Sequence, residues 1–362
     1  MDQKLQNKLN KRLEEGTLRS LSSFEGFVDF YSNDYLGYSK LETSSKRVLS
    51  YGSTGSRLIS GTSEEALESE EFLAEFFNSE SALIFNSGYD ANLGFFSSVP
   101  QRGDTVFYDE FIHASIRDGL RLSFATSNSF KHNDVADLEN RLDKTSGIKY
   151  VVVESLYSMD GDIAPLIDLV KLCDKYHAYL IVDEAHSGGV FGDNGKGLVE
   201  ELNLEKSVFA RLITFGKAYG SHGSCILGER GLKDFLINFS RSFIYTTALP
   251  PDSYNRIIEI LKEDSFKERH DLLKHVIHNF RNKINGLTCL SDLNSPIQLI
   301  KIGNVQETKR IASNLQASNI AVKPIFSPTV PEGSEGLRIC LHSFNTEQEL
   351  NLLVSILNES IV

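Results

Sequence analysis

The stretch KYVVVESLYSMDGDIAPLIDLVKLCDKYHAYLIVDEAHSGG (149–189) carries the fold in its pattern. Two short apolar runs rich in β-branched residues, YVVV (150–153) and LIV (180–182), read as strands buried on both faces. Between them LIDLVKLCDKYH (166–177) reads as a helix. Consecutive strands separated by a helix need a crossover connection, so they run parallel beneath helices. Outward from this unit the alternation continues. EEALESEEFLAEFF (64–77) is helical, while ALIFNSG (82–88), DTVFYDE (104–110), SVFARLITFGK (207–217) and GSCILGE (223–229) read as further strands. The expectation is an α/β domain with a mostly parallel sheet.

The pair Pro250–Pro251 breaks that pattern. Beyond it the sequence predicts a long helical stretch over about 252–285, strands at SPIQLIKIG (295–303) and GLRICLHS (336–343), and a last helix in NTEQELNLLVSILNES (345–360) capped by Asn345. At the other end, Leu5, Leu9 and Leu13 recur every four residues among charges, which predicts an amphipathic helix within 1–20. The expected organisation is an N-terminal segment (1–45), a large α/β domain (46–250) and a small C-terminal α+β domain (251–362).

Composition narrows the function. Forty-nine acidic against thirty-seven basic residues give a net charge of −12, which repels phosphate backbones and anionic lipid, so neither nucleic acid nor membrane is expected as a partner. No apolar run is long enough for a membrane span, and the first residues lack the apolar core of a secretion signal. Cys173, Cys225, Cys289 and Cys340 are scattered without a CxxC pair, as in a cytoplasmic protein with reduced thiols. His270, His275 and His278 share one helical stretch, but Lys, Asp and Arg neighbours favour a solvated face over a metal site. Neither GxSxG nor GxxxxGK[ST] occurs, which argues against serine hydrolases and P-loop NTPases.

Ligands of open α/β sheets bind beyond the carboxyl ends of the strands. Here those ends carry Ser87-Gly88-Tyr89, the run Ser155 to Asp162, Asp183-Glu184-Ala185-His186 and Thr214-Phe215-Gly216-Lys217. Asp183 closes an apolar run, where a carboxylate must be paired, and a protonated pyridine nitrogen is such a partner. Lys217 closes another run between small residues, where a desolvated lysine becomes a nucleophilic amine. A ring that needs both is pyridoxal 5′-phosphate. Its phosphate would take the backbone amides of Gly88 and Tyr89 at a helix start, and the Thr214 hydroxyl.

The motifs SNDYLG (32–37), GSRLISG (55–61), HASIRDG (113–119), SMDGDIAPL (158–166), DEAHSGGVFGDNGKG (183–197), TFGKAYG (214–220) and TTALPP (246–251) stand in the order found in one family. From about residue 20 onward the chain resembles the α-oxoamine synthases, pyridoxal-phosphate enzymes of fold type I. That resemblance implies a seven-stranded sheet in the large domain. It implies Lys217 as the residue bonded to the cofactor, Asp183 beside the ring nitrogen, His186 at the phenolic oxygen, His113 stacked on the ring and Ser158 near the same oxygen. Gly88, Tyr89 and Thr214 match phosphate-binding positions, and Thr246 and Thr247 match residues that reach the phosphate across a homodimer interface. Arg338 matches the arginine that grips the amino-acid carboxylate, and Arg19 and His342 fall where substrate contacts occur.

The implied reaction is a decarboxylative condensation of an amino acid with an acyl thioester, and FSRSFIYTTALPP (239–251) is most similar to the branch that joins L-alanine to a pimeloyl thioester. Other α-oxoamine synthases, acting on glycine or serine, are the nearest alternatives. A catalytically silent relative would be expected to lack the lysine, the ring-nitrogen carboxylate or the substrate arginine, and all three are present.

Overall fold

The computed structural model describes residues 2–16, 18, 21, 23–41, 52–284, 286–327 and 330–361. In chain order the strands are β1 (Val28–Asp29), β2 (Ser81–Phe85), β3 (Thr105–Asp109), β4 (Thr126–Phe130), β5 (Lys149–Glu154), β6 (Ala178–Asp183), β7 (Ala210–Thr214), β8 (Ser224–Gly228), β9 (Ile297–Lys301), β10 (Ile320–Ala321), β11 (Lys323–Ile325) and β12 (Gly336–Cys340). Seven of them form one sheet in the order β2-β8-β7-β6-β5-β3-β4. Only β8 opposes the rest, pairing antiparallel with both β2 and β7. β11, β12 and β9 make a small antiparallel sheet.

The uniformly apolar central strands follow from burial on both faces. Val151, Val153, Leu180, Val182 and Ile213 join one core cluster, while Tyr150, Val152, Ile181 and Leu212 join a second on the opposite face. Alternate residues thus point to opposite sides, and helices cover both. β4 is the exception. Its sequence, TSNSF, is exposed at every position but the last, so no apolar periodicity announces it, and the sheet edge alone makes it a strand.

Two expectations are corrected outside the sheet. The helix expected over 252–285 is two helices, Pro251–Leu261 and Phe266–Lys283, separated by residues 262–265. The last helix starts later than expected: Thr346, not Asn345, is its N-cap, with Glu349 reaching back to the Thr346 amide to complete a capping box. The predicted N-terminal helix spans Gln3–Glu14, with Leu5, Leu9 and Leu13 all exposed. β1 pairs parallel with β10, which joins the N-terminal segment to the C-terminal portion of the chain.

The turn after β6 is held by a buried ion pair. Glu184 accepts from Arg211 Nε at 2.6 Å, from the Val199 amide at 3.0 Å and from Ser187 Oγ at 3.1 Å. The remaining Arg211 nitrogens donate to the carbonyls of Phe77 and Lys196. Gly197, with φ +100°, passes so close that a Cβ there would sit 2.4 Å from Glu184 Oε1. Removing one partner strands a buried charge, so Arg211→Ala is expected to lower unfolding free energy by about 3–5 kcal/mol, measured by urea denaturation.

Candidate active site

The parallel strands bring their carboxyl ends to one edge. Glu154 and Asp183 face each other in register at the ends of β5 and β6, and Thr214 ends β7. Ser87 caps the helix Gly88–Ser98 immediately after β2, accepting from the Asp90 amide. The amides of Gly88 and Tyr89 fall in the first turn of that helix, where no intrahelical acceptor exists, so they are donors for an anion. A Cβ placed on Gly88 would lie 3.7 Å from Thr214 Oγ1, which sets the Thr214 hydroxyl beside the same helix start. Asn86, just before it, donates to Thr246 Oγ1 at 3.2 Å and to the Thr247 carbonyl at 2.7 Å. The Tyr89 ring itself points elsewhere, its hydroxyl bonded to Asp118.

Two hydrogen-bonded chains converge here. In the first, Lys217 Nζ lies 2.6 Å from His186 Nε2, His186 Nδ1 lies 2.8 Å from the Tyr35 hydroxyl, and Tyr35 donates to Asn33 Oδ1 at 3.1 Å. Arg338 Nη2 donates to the same Asn33 oxygen at 2.9 Å. Because the Tyr35 proton goes to Asn33, His186 Nδ1 must carry a proton and Nε2 must accept from Lys217. Burial and the Lys217 charge keep His186 well below its ordinary pKa, consistent with this neutral ring. Burial also lowers Lys217 to about 8, although Asp183 and Glu154 pull the other way, so about a tenth of the amine is neutral at pH 7.

In the second chain, Asp183 Oδ2 accepts from Asn92 at 2.8 Å, while Oδ1 accepts from the Ala185 amide at 2.9 Å. Asn92 also donates to Ser115 Oγ at 3.1 Å, and Ser115 Oγ lies 2.7 Å from His113 Nδ1. The Ser115 amide donates to the same nitrogen, making His113 the N-cap of the helix Ala114–Leu122. Nδ1 is therefore an acceptor and Nε2 bears the proton. Desolvation and the Lys217 charge lower the His113 pKa, with Asp183 opposing, so this ring too is neutral at pH 7.

Glu154 is fully buried, and its Oε1 has no hydrogen-bond partner. Burial and the neighbouring Asp183 raise it to about 8, so it is protonated at neutral pH. An orphaned polar atom beside Asp183, a buried lysine of lowered pKa and a helix start lined by a glycine are together what a phosphorylated pyridine aldehyde requires, and the residues fit that group.

Arg338 is 6 % exposed and donates to the Ser158 carbonyl at 2.7 Å, to Cys340 Sγ at 2.9 Å and to Asn33. Among the described residues no carboxylate pairs with it, so a substrate carboxylate would be its first counter-ion. Ser158 contributes this carbonyl to the site. His342 is fully buried, with Nε2 on the Ser32 carbonyl at 3.1 Å and Nδ1 on Asn345 Oδ1 at 3.2 Å. It clamps the segment carrying Asn33 and Tyr35. Arg19 lies outside the described residues.

Asn33, Tyr35, Asn92, Ser115 and Glu154 received no role from the sequence; SNDYLG (32–37) contains two of them and was the available signal. His132 was missed as well. It bridges Asp109 at 2.9 Å and Asp162 at 3.1 Å, fastening the loop before His113 to the loop after Ser158. Burial opposes its charge, but the two carboxylates outweigh that and raise it to about 10. The sign is that of a raised basic pKa: its stabilisation is complete below about 6.5, the unfolded value, and disappears as pH climbs through about 10. The gap in Tm between the native protein and His132→Gln is therefore expected to be widest at pH 6 and to close by pH 10, read by thermal melts across that range.

A profile of the aminotransferase class I and II family matches residues 25–357. The chain is 39% identical over 90% of its length to an 8-amino-7-oxononanoate synthase of Emericella nidulans, covering 87% of that protein. It is 38% identical over 92% of its length to one from Cellvibrio japonicus, covering 86%. Among solved structures, an 8-amino-7-oxononanoate synthase from Francisella tularensis superposes with TM-score 0.78 at 30% identity, over 93% of this chain and 98% of that one. A serine palmitoyltransferase of Sphingomonas wittichii gives TM-score 0.87 at 26% identity, over 99% and 96%. The chain belongs to the aminotransferase class I and II family, with the fold of the type I pyridoxal-phosphate transferases. Within that family it is an α-oxoamine synthase.

Proposed function

We propose that this protein is a pyridoxal 5′-phosphate-dependent acyltransferase that condenses L-alanine with a pimeloyl thioester, releasing CO₂ and the free thiol and forming 8-amino-7-oxononanoate, a step of biotin biosynthesis. The observation that carries the reading is the continuous hydrogen-bonded chain from the buried Arg338 guanidinium to the Lys217 amine, through Asn33, Tyr35 and His186. The bound cofactor supplies an electron sink for the carbanion at the amino-acid α-carbon.

The protein's own groups divide the remaining work. Arg338 fixes the amino-acid carboxylate by its two-pronged donor edge. Lys217, kept partly neutral by burial, takes the α-proton and later returns one. Asp183, oriented by Asn92 and the Ala185 amide, keeps the ring nitrogen protonated. His186, fixed between Tyr35 and Lys217, presents Nε2 as an acceptor for the proton of the phenolic group. His113, with Nδ1 occupied by Ser115, presents Nε2–H to ring or acyl oxygen. Gly88, Tyr89 and Thr214 hold the phosphate, with Thr246 and Thr247 of the second subunit of a homodimer. No helix among the described residues is long and apolar enough to cross a membrane, and four free cysteines suit the reducing cytosol, where we place the reaction.

A panel of alanine, glycine and serine against acetyl, pimeloyl and palmitoyl thioesters, scored by CO₂ and thiol release, tests the reading. Alanine with the pimeloyl donor is expected to give the highest kcat/KM. Preference for glycine with the acetyl donor, or serine with palmitoyl, would transfer the protein to another branch of the same family.

A further inference from the structure

A cavity of about 780 Å³ opens beside His113 and Ser158. Its walls are largely apolar, with Phe111, Ile112, Met159, Leu290, Leu299 and Val330. Among the described residues one cation reaches it: Arg117. Arg117 stands one turn along the helix that begins after His113, its amide directed at the His113 carbonyl at 3.4 Å. Its guanidinium touches the Glu110 carbonyl and lies over the Tyr108 ring, and among the described residues it makes no ion pair with a carboxylate.

Resting on the proposed function, we infer that Arg117 receives the distal carboxylate of the dicarboxylic acyl chain and so selects an ω-carboxyacyl donor over a plain fatty acyl donor. The dimensions agree. A pimeloyl group separates its reacting carbonyl from its terminal carboxylate by six C–C bonds, about 7–8 Å when extended. A helical turn of about 5.4 Å plus the arginine side chain covers that span from His113. The methylenes would lie against the apolar wall, and the planar guanidinium has donors left for a carboxylate. Two acidic groups share the cavity. Glu110 is exposed and its Oε1 accepts the His132 amide, and Asp160, raised by burial from the ordinary carboxylate range, is the second.

The test compares holoenzyme and Arg117→Ala with pimeloyl and heptanoyl thioesters of the same carrier, the second lacking only the carboxylate. The expected result is a rise of about 10- to 100-fold in KM for the pimeloyl donor, with KM for alanine and all constants for the heptanoyl donor within about twofold of the native values. Arg117→Lys is expected to recover part of the loss, and free pimelate, but not heptanoate, should lose potency as a competitive inhibitor in the alanine variant. Equal losses on both donors would place Arg117 on the carrier portion or in the scaffold and overturn the inference. So would an unchanged pimeloyl preference. A native enzyme that turns over pimeloyl thioester while Arg117→Ala keeps its preference sinks this inference alone; a native enzyme that refuses pimeloyl but accepts another acyl donor sinks the proposed function with it.

Discussion

Lys217→Ala is expected to reduce turnover by at least about three orders of magnitude and to remove the visible absorbance that a covalently held pyridoxal group gives the native enzyme. The argument is local. Among the described residues Lys217 Nζ is the only amine tied to the His186–Tyr35–Asn33 chain, and its pKa of about 8 leaves it able to act both as nucleophile and as base. Methyl in place of the butylammonium removes both capacities while leaving Asp183, Asn92 and the helix start at Gly88 in place. The cofactor should therefore still bind, without the covalent signature, which absorbance and equilibrium dialysis separate. A variant that keeps both absorbance and turnover would end the assignment of this amine.

Asp183→Asn is expected to be nearly as damaging, with a loss of about 10²- to 10⁴-fold in kcat and little change in fold. The amide keeps the carboxylate's shape but only one of its two accepted hydrogen bonds, and it lacks the negative charge that favours a proton on the facing ring nitrogen. The KM for alanine should move far less than kcat, because Arg338 and Asn33 are untouched. A loss confined to KM would assign Asp183 to binding rather than to the electronics of the ring.

Much of this architecture was legible because burial on both faces writes itself into a strand as an unbroken apolar run, as in YVVV and LIV, and because the residue that ends such a run is displayed at the ligand edge. Asp183, Lys217 and Thr214 were singled out in that way. Tyr35 and Asn92 were not, since their partners lie 151 and 91 residues away and nothing local marks the pairing. Asn345 and Thr346 are neighbouring cap types, and the deciding signal was spacing: Glu349 lies three residues beyond Thr346, as a capping box requires. The partners of His342 were hidden for the same reason as those of Tyr35: its nitrogens lie on Ser32, far away in the chain, and on Asn345, and it secures the N-terminal segment.

That segment's pairing with β10, together with the reach of Arg338 to Asn33, has a consequence for biosynthesis of the molecule. A nascent chain on the ribosome can form the central sheet, with the lysine and the aspartate in position, well before β12 has emerged. The first forty residues must then wait for a late arrival before their asparagine meets its arginine. Truncations from the carboxyl end that spare the sheet should thus yield a protein that folds in part yet handles no amino acid, and competence should appear only when the last strand is complete.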